Sequence, residues 1–125
     1  MVITAWARAL RRGDVEAAAG YFALPSRMVN FSASGQPVVL SIRSRRDAVL
    51  ANESLSCGAV LLSTRQHEGF VDALFLLTGR KGPGGSSRGC VGSARTYFVV
   101  AAGRIVDWIR APSEPGDNGT PATPV

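Results

Sequence analysis

Two acid–base candidates stand out among the titratable side chains. His67 is the sole histidine and precedes Glu68, so the pair has the residue types of an acid–base dyad. Adjacent residues of a strand point to opposite faces, however, and an exposed turn is the favoured interpretation. Asp72 lies in an apolar strand between Val71 and Ala73. A carboxylate buried in such surroundings can act as a general base, and the same residue could equally face solvent or a subunit partner.

Two cysteines are the other side chains with chemical potential. Cys57 stands at the entrance to a predicted strand, and Cys90 lies near the end of a glycine-rich segment. Neither belongs to a CxxC pair, so no metal site is predicted, and no motif calls for a cofactor. A structural thiol is the favoured role. A disulfide between the two is open, because it depends on whether the segment folds back.

The glycine-rich segment, residues 79–93, contains six glycines and predicts a long mobile loop. It lacks the Gly-Lys-Ser/Thr ending of a phosphate-binding loop, so we interpret it as a flexible flap. Its charged residues, Arg80, Lys81 and Arg88, would either meet an anionic group of a ligand or remain solvated. The solvated alternative is favoured.

The elements that must position these residues begin with two helices. Ile3, Trp6, Ala7 and Leu10 share one helical face, and Gly13 then ends the first helix. Asp14 is the predicted N-cap of a second helix, whose face runs from Val15 through Ala18 and Ala19 to Phe22. Pro25 prevents that helix from continuing.

Strands follow, with one more helix among them. Residues 27–32 and 37–41 predict a pair of short strands, and Ser44 caps a helix that continues to about Leu55. Residues 59–67, 70–78, 94–101 and 104–110 predict four strands with hairpin connections around the glycine-rich loop. The order ααββαββββ predicts an α+β fold, with helices packed on one face of a curved antiparallel sheet.

Composition restricts the class of protein. A chain of 125 residues with 46% hydrophobic residues is one globular domain, and no apolar run approaches the roughly 20 residues that cross a bilayer. The net charge is +5, and all basic residues except Lys81 are arginine. Aromatic residues do not alternate with the basic groups, so nucleic-acid binding is disfavoured against a solvated basic face. With no export signal, we expect a cytoplasmic protein with reduced thiols.

The sequence resembles the nuclear transport factor 2-like superfamily, and its SnoaL-like branch of small bacterial proteins is nearest. The resemblance rests on Trp6-x-x-x-Leu10-x-x-Gly13-Asp14, on Tyr21-Phe22, and on a sheet that ends Phe98-Val99-Val100-x-x-Gly103-Arg104-Ile105-Val106-x-Trp108. It implies a cone-shaped sheet around an apolar cavity, closed by the N-terminal helices. It covers residues 1–111 as one domain, and residues 112–125, with four prolines, are expected to form a disordered tail.

The resemblance also implies where catalytic groups would stand. One member of the superfamily, ketosteroid isomerase, uses a tyrosine, a general base and a second acid. Trp6 stands at the position of the tyrosine, Asn30 or Phe31 at that of the base, and Thr96 at that of the second acid. Arg110 holds the position of the aspartate that hydrolases and cyclases carry. None of these residues accepts a proton near neutral pH, so the usual chemistry of the family is not expected. Asp107, the nearest carboxylate, should point away from the cavity if Trp108 lines it.

Three hypotheses follow. The favoured one is a protein that binds a small apolar or aromatic molecule without turnover. The alternatives are an enzyme of isomerase, cyclase, dehydratase or hydrolase type that uses Asp72 or His67 as an unconventional base, and a dimeric interaction module. The family implies a homodimer through the sheet, for which Leu74 and Leu76 could supply contacts. The predicted pocket residues are Trp6, Tyr21, Phe22, Asn30, Phe31, Phe75, Leu77, Thr96, Phe98, Trp108 and Arg110.

Overall fold

The computed structural model describes residues 1–112, so all of the predicted tail except Pro112 lies outside the described residues. The helices are α1 (Val2–Arg11), α2 (Val15–Ala19) and α3 (Arg45–Glu53). The strands are β1 (Phe22–Phe31), β2 (Pro37–Ile42), β3 (Gly58–His67), β4 (Phe70–Thr78), β5 (Ser93–Ala101) and β6 (Arg104–Arg110). This order is the predicted one. None of the helices in the described residues has the length and apolar character needed to cross a membrane.

The end of α1 and the starts of α2 and α3 form where the sequence predicts them. Gly13 takes a φ of 79°, a left-handed conformation that suits glycine, directly after α1. The Asp14 side chain then accepts a hydrogen bond of 3.0 Å from the Ala17 amide at the start of α2. At α3, the Ser44 hydroxyl accepts one of 3.1 Å from the Asp47 amide. These contacts satisfy amide groups that have no partner inside the helix.

All six strands form one curved sheet in the order β2-β1-β6-β5-β4-β3. Each pair is antiparallel except β1 and β6, which run parallel. The prediction of a wholly antiparallel sheet is therefore wrong at one pair. Short connections make the two strands of a hairpin antiparallel, whereas β1 and β6 are far apart in the chain and no hairpin sets their direction.

Irregular pairing in β1, β3 and β5 accompanies the curvature. In β1 the register shifts between Phe22 and Arg27, and in β5 it shifts between Val99 and Val100. Such bulges increase local bending and twist. The start of β1 corrects one prediction: Phe22 begins β1 instead of continuing α2, which ends at Ala19. Ile105 of β6 is buried in the core.

The hydrophobic core lies between the helices and the concave side of the sheet. The helices pack their apolar face against inward-facing residues of β4, β5 and β6, which is the amphipathic arrangement that their spacing predicts. The largest fully buried apolar side chains of this core are Ile3, Trp6, Leu10, Met28, Ile42, Leu55, Phe75, Phe98, Ile105 and Trp108.

The glycine-rich loop is anchored to the rest of the fold. Cys57 and Cys90 form a disulfide with a Cα–Cα distance of 5.5 Å, which ties the end of the loop to the start of β3. The Ser86 amide donates a 2.9 Å hydrogen bond to the Ser56 carbonyl oxygen. Both contacts correct the prediction of a mobile flap, and the disulfide corrects the expectation of reduced thiols. Glycine content indicates conformational freedom of the unfolded chain, and these tertiary contacts remove it.

Two glycines let the loop approach the turn between α1 and α2. A Cβ atom added to Gly13 would lie 2.5 Å from the Lys81 carbonyl oxygen, and one added to Gly82 would lie 2.5 Å from the Gly13 carbonyl oxygen. Both residues have a positive φ. No other residue type fits this backbone contact, so these glycines serve close packing.

Candidate functional site

Four aromatic rings meet at the centre of the concave side. The Trp6 ring of α1 makes edge-to-face contacts with Phe75 at 6.0 Å, Phe98 at 5.7 Å and Trp108 at 6.1 Å between ring centroids. All four side chains are completely buried. This geometry is the favourable one for aromatic pairs, and it makes the rings packed core. Their predicted role in lining a ligand pocket stays a prediction.

A buried amide holds the central ring in place. The Trp6 indole Nε1 donates a 2.8 Å hydrogen bond to Asn52 Oδ1 of α3, and Asn52 Nδ2 donates one of 2.8 Å to the Ala48 carbonyl oxygen. Asn52 was not among the predicted site residues. Its position four residues after Ala48, on the predicted inner face of the third helix, was the available signal. The indole N–H of Trp6 is therefore already paired inside the fold.

Polar groups gather at one end of the concave side, where β5 begins and β6 ends. Thr96 and Arg110 are paired across these strands, and both are buried. Asn30 follows Met28 on the inward face of β1, and Met28 pairs with Trp108. Within the described residues, Thr96 Oγ1 and Trp108 Nε1 are buried and have no hydrogen-bond partner. Three positions that the resemblance implies for catalysis are thus close together, and none carries a carboxylate.

The other predicted pocket residues are dispersed. Phe22 and Leu77 are buried in the core, and Tyr21 packs against it while half-buried. Strand alternation places Phe31 with Val29 on the face of β1 opposite to Asn30. The structure therefore does not bring Phe31 to the polar end. A bulky aromatic residue was expected there because sequence spacing alone did not distinguish positions 30 and 31.

Asp72 and His67 come together on the convex side of the sheet. Asp72 Oδ1 lies 2.8 Å from Arg95 Nη1 in an ion pair, and Asp72 Oδ2 lies 3.9 Å from His67 Nε2. The His67 ring stacks on Phe70 with a centroid distance of 4.6 Å. The two catalytic candidates are thus neighbours, although the sequence paired His67 with Glu68. They lie on the opposite side of the sheet from the aromatic centre.

Asp107 also faces outward, as predicted. Its carboxylate lies 2.9 Å from Arg27 Nε in a salt bridge across β1 and β6, while the next residue, Trp108, is buried on the concave side. Among the described residues no Asp or Glu is buried. Among residues 1–112 the concave side therefore holds hydrogen-bond donors and the Arg110 cation, and these residues place no carboxylate base there to take up a proton.

Arg80 is a structural residue of the glycine-rich loop. Its guanidinium group donates to the carbonyl oxygens of Leu55 at 2.6 Å, Lys81 at 2.8 Å, Pro83 at 2.8 Å and Glu53 at 3.2 Å. Burial lowers the pKa of Arg80 from its usual value, and the Glu53 charge opposes this shift. Arg80 is buried and its donors are committed to the backbone, so it is neither solvated nor placed to meet the anionic group of a ligand. Both alternatives are therefore wrong for Arg80.

Solved structures share this architecture. A protein with a ketosteroid isomerase-like fold from Catenulispora acidiphila, in complex with trimethylamine, is 14% identical, covers 98% of this chain and 93% of its own, and superposes with a TM-score of 0.66. A proposed polyketide cyclase from Sinorhizobium meliloti is 16% identical, with coverage of 88% and 93% and a TM-score of 0.63. An NTF2-like protein of unknown function from Cytophaga hutchinsonii is 11% identical, with coverage of 88% and 85% and a TM-score of 0.62.

The helix-covered curved sheet and these superpositions show that the chain has the nuclear transport factor 2-like fold. This confirms the predicted fold. The sequence matches no protein-family model, and no curated protein matches it. Identities this low show the fold alone, so the activity must be argued from the site.

Proposed function

We propose that this protein binds a small apolar or aromatic molecule at the polar end of its concave side and does not transform it. The observation that carries the proposal is the pair of buried polar atoms, Thr96 Oγ1 and Trp108 Nε1, which have no hydrogen-bond partner within the described residues. Such groups cost free energy unless something pairs with them. A guest that supplies the missing partner would therefore gain affinity at this position.

The chemistry of these atoms specifies the guest. An indole Nε1 donates only, a threonine hydroxyl donates or accepts, and the guanidinium of Arg110 beside them is a cation. The guest should therefore present an acceptor oxygen, such as a carbonyl group, on an apolar or aromatic body. It must be small, because four packed rings occupy the middle of the concave side. The trimethylamine complex of the Catenulispora protein supports a small guest in this fold.

Binding without turnover is favoured because of where the carboxylates stand. Asp72 and Asp107 are both engaged in salt bridges on the convex side. The enzyme alternative requires chemistry at Asp72 and His67, across the sheet from the polar end. A guest bound beside Thr96 would not reach them. If this protein converts a bound molecule and Asp72→Asn abolishes the conversion, the binding proposal is wrong and the enzyme alternative is supported.

Thr96→Val tests the site directly. The substitution keeps the shape of the side chain and removes its unpaired hydroxyl, so the free energy of unfolding should rise by about 1 kcal/mol in urea titrations. Acetophenone, an aromatic molecule with one carbonyl acceptor, should bind the wild type and bind Thr96→Val about tenfold more weakly by calorimetry.

Thr64→Val is the matched control, because Thr64 is exposed on β3 and the chemical change is the same. It should change neither acetophenone affinity nor stability measurably. If Thr96→Val destabilises the protein and binds acetophenone as the wild type does, the hydroxyl is paired within the fold and the proposed site is wrong.

We also propose a homodimer through the convex face, as an interaction role beside ligand binding. Leu76 is 44% exposed there, and Phe70, Tyr97, Val99 and Ile109 line a surface cavity with the Arg27–Asp107 pair. An apolar face with charged pairs is suited to a second copy of the chain.

We propose further that the protein belongs to the SnoaL-like branch of small bacterial proteins. Its predicted cytoplasmic location stays a prediction, and the disulfide argues against it, because disulfides are rare in the reducing cytoplasm.

A further inference from the structure

A cavity opens at the end of the sheet opposite to the polar end, where β1 and β6 begin and β5 ends. Its volume is about 450 Å³. Small and apolar side chains form most of its wall, and two arginines complete it. The lining residues are Ala19, Gly20, Phe22, Ala23, Leu24, Arg45, Ala48, Ala101, Ala102 and Arg104. A volume of this size accommodates a small organic molecule.

The two guanidinium groups converge on Gly20. Arg45 Nη1 lies 3.3 Å from the position that a Cβ atom of Gly20 would occupy, so the Arg45 head packs directly against this glycine. Arg104 Nη1 donates a hydrogen bond to the Gly20 carbonyl oxygen. Arg45 Nη2 also donates one of 2.7 Å to the Glu16 carbonyl oxygen, at the same end of α2. Backbone carbonyl groups thus fix both heads at the cavity wall, and each guanidinium keeps further donors.

Little negative charge balances these two cations. The Glu16 carboxylate lies 3.9 Å from Arg45 Nη2, and both side chains are exposed, so this pair is weak. Arg104 makes no ion pair with any residue between positions 1 and 112. Two like charges at the same backbone group, with one weakly paired acid beside them, favour an anion between them.

We propose that this cavity binds a small amphipathic carboxylate, with the carboxylate on Arg45 and Arg104 and the hydrocarbon part on Phe22 and Leu24. The two arginines supply charge and directed donors. The apolar wall favours an anion that has a hydrocarbon part over one that has none. The cavity is separate from the proposed acetophenone site. Phe22 and Asn30 stand eight residues apart on β1, which corresponds to roughly 25 Å along a strand.

Octanoate, below its micelle concentration, is the probe. In proton–nitrogen NMR spectra of the full chain, octanoate should shift the amides of Gly20, Ala23 and Ala102 in a saturable manner. Arg45→Gln and Arg104→Gln should each weaken its binding by about tenfold. Both side chains are exposed, so the two variants are expected to fold.

Arg46→Gln is the matched control, because it removes the same charge from the next residue of α3, which does not line the cavity. It should bind octanoate as the wild type does, and octylamine, which carries the opposite charge, should not shift these amides. Equal weakening in all three variants would mean that only net charge attracts octanoate, and the proposal would be wrong. Binding of octylamine at the same amides, or octanoate shifts at Thr96 instead, would overturn it as well.

Discussion

The hydrogen bond between Trp6 and Asn52 commits two buried polar side chains to the structure of the core. A tyrosine presents its hydroxyl at the end of the ring, whereas the Trp6 indole Nε1 points to Asn52 Oδ1 at 2.8 Å. The hydrogen bond is completely buried, and Asn52 is anchored in turn to the Ala48 carbonyl oxygen. A polar group that is fully satisfied inside the core has no capacity left for a guest.

A double-mutant cycle on Trp6 and Asn52 measures this contact. Asn52→Leu should lower the free energy of unfolding by about 2 kcal/mol, because it leaves the buried Nε1 without an acceptor. Trp6→Phe removes the donor, so Asn52→Leu should cost less in that background, with a coupling energy of about 1 kcal/mol. Urea titrations of the four proteins give these values. Strictly additive losses would show that the hydrogen bond does not act as a pair.

Among the elements, the glycine-rich loop differs most from the mobile segment that its composition predicts. Arg80 links it to the end of α3 through the Leu55 and Glu53 carbonyl oxygens, and the disulfide links it to β3. Closing a chain segment of 33 residues by a disulfide stabilises a fold by about 3 to 4 kcal/mol in the chain-entropy model. The loop therefore stabilises the junction of α1, α3 and β3.

Arg80→Lys tests the loop. Lysine keeps the charge but lacks the planar array of donors that reaches four carbonyl oxygens, so the free energy of unfolding should fall by about 2 kcal/mol. The Ser86 and Gly85 amides, which donate to backbone oxygens in the wild type, should exchange their hydrogens faster. Arg88→Lys is the control, since Arg88 is exposed in the same loop. Unchanged exchange in Arg80→Lys would contradict the anchoring role.

For the whole molecule, the two sides of the sheet differ in chemistry. The concave side is closed by helices and holds the aromatic centre, while the convex side carries the Arg27–Asp107 and Arg95–Asp72 pairs among apolar residues. A stable interface requires roughly 800 Å² on each partner, which a six-stranded sheet face can supply. Charged pairs at such a face set the orientation of the partner.

Leu76→Asp tests the proposed dimer. Wild-type protein should sediment as a dimer, and the variant should shift towards monomer, because a carboxylate buried in the interface has no partner charge. Leu50→Asp on α3 is the control, since Leu50 is 49% exposed and lies away from the convex face. A wild-type monomer at high concentration, or equal dissociation of both variants, would contradict a dimer through the sheet.

Local patterns determined much of this protein. Helical spacing, Gly13, Asp14 and Ser44 specify the helices, and alternation with short connections specifies the hairpins, because these depend on neighbouring residues. The inward orientation of Trp108 and the outward orientation of Asp107 follow from the same alternation. Positions 30, 96 and 110 carry Asn, Thr and Arg, and their correspondence to catalytic positions is what the resemblance implies.

Tertiary structure decided what depends on residues far apart in the chain. The parallel pairing of β1 with β6, the Cys57–Cys90 disulfide, and the meeting of His67 with Asp72 join segments that no local pattern relates. Asn52 and Arg80 find their partners only after α3, the loop and α1 have packed together. Sequence spacing specifies which side chains share a face. The folded chain alone decides which faces meet, because that choice minimises the free energy of all contacts at once.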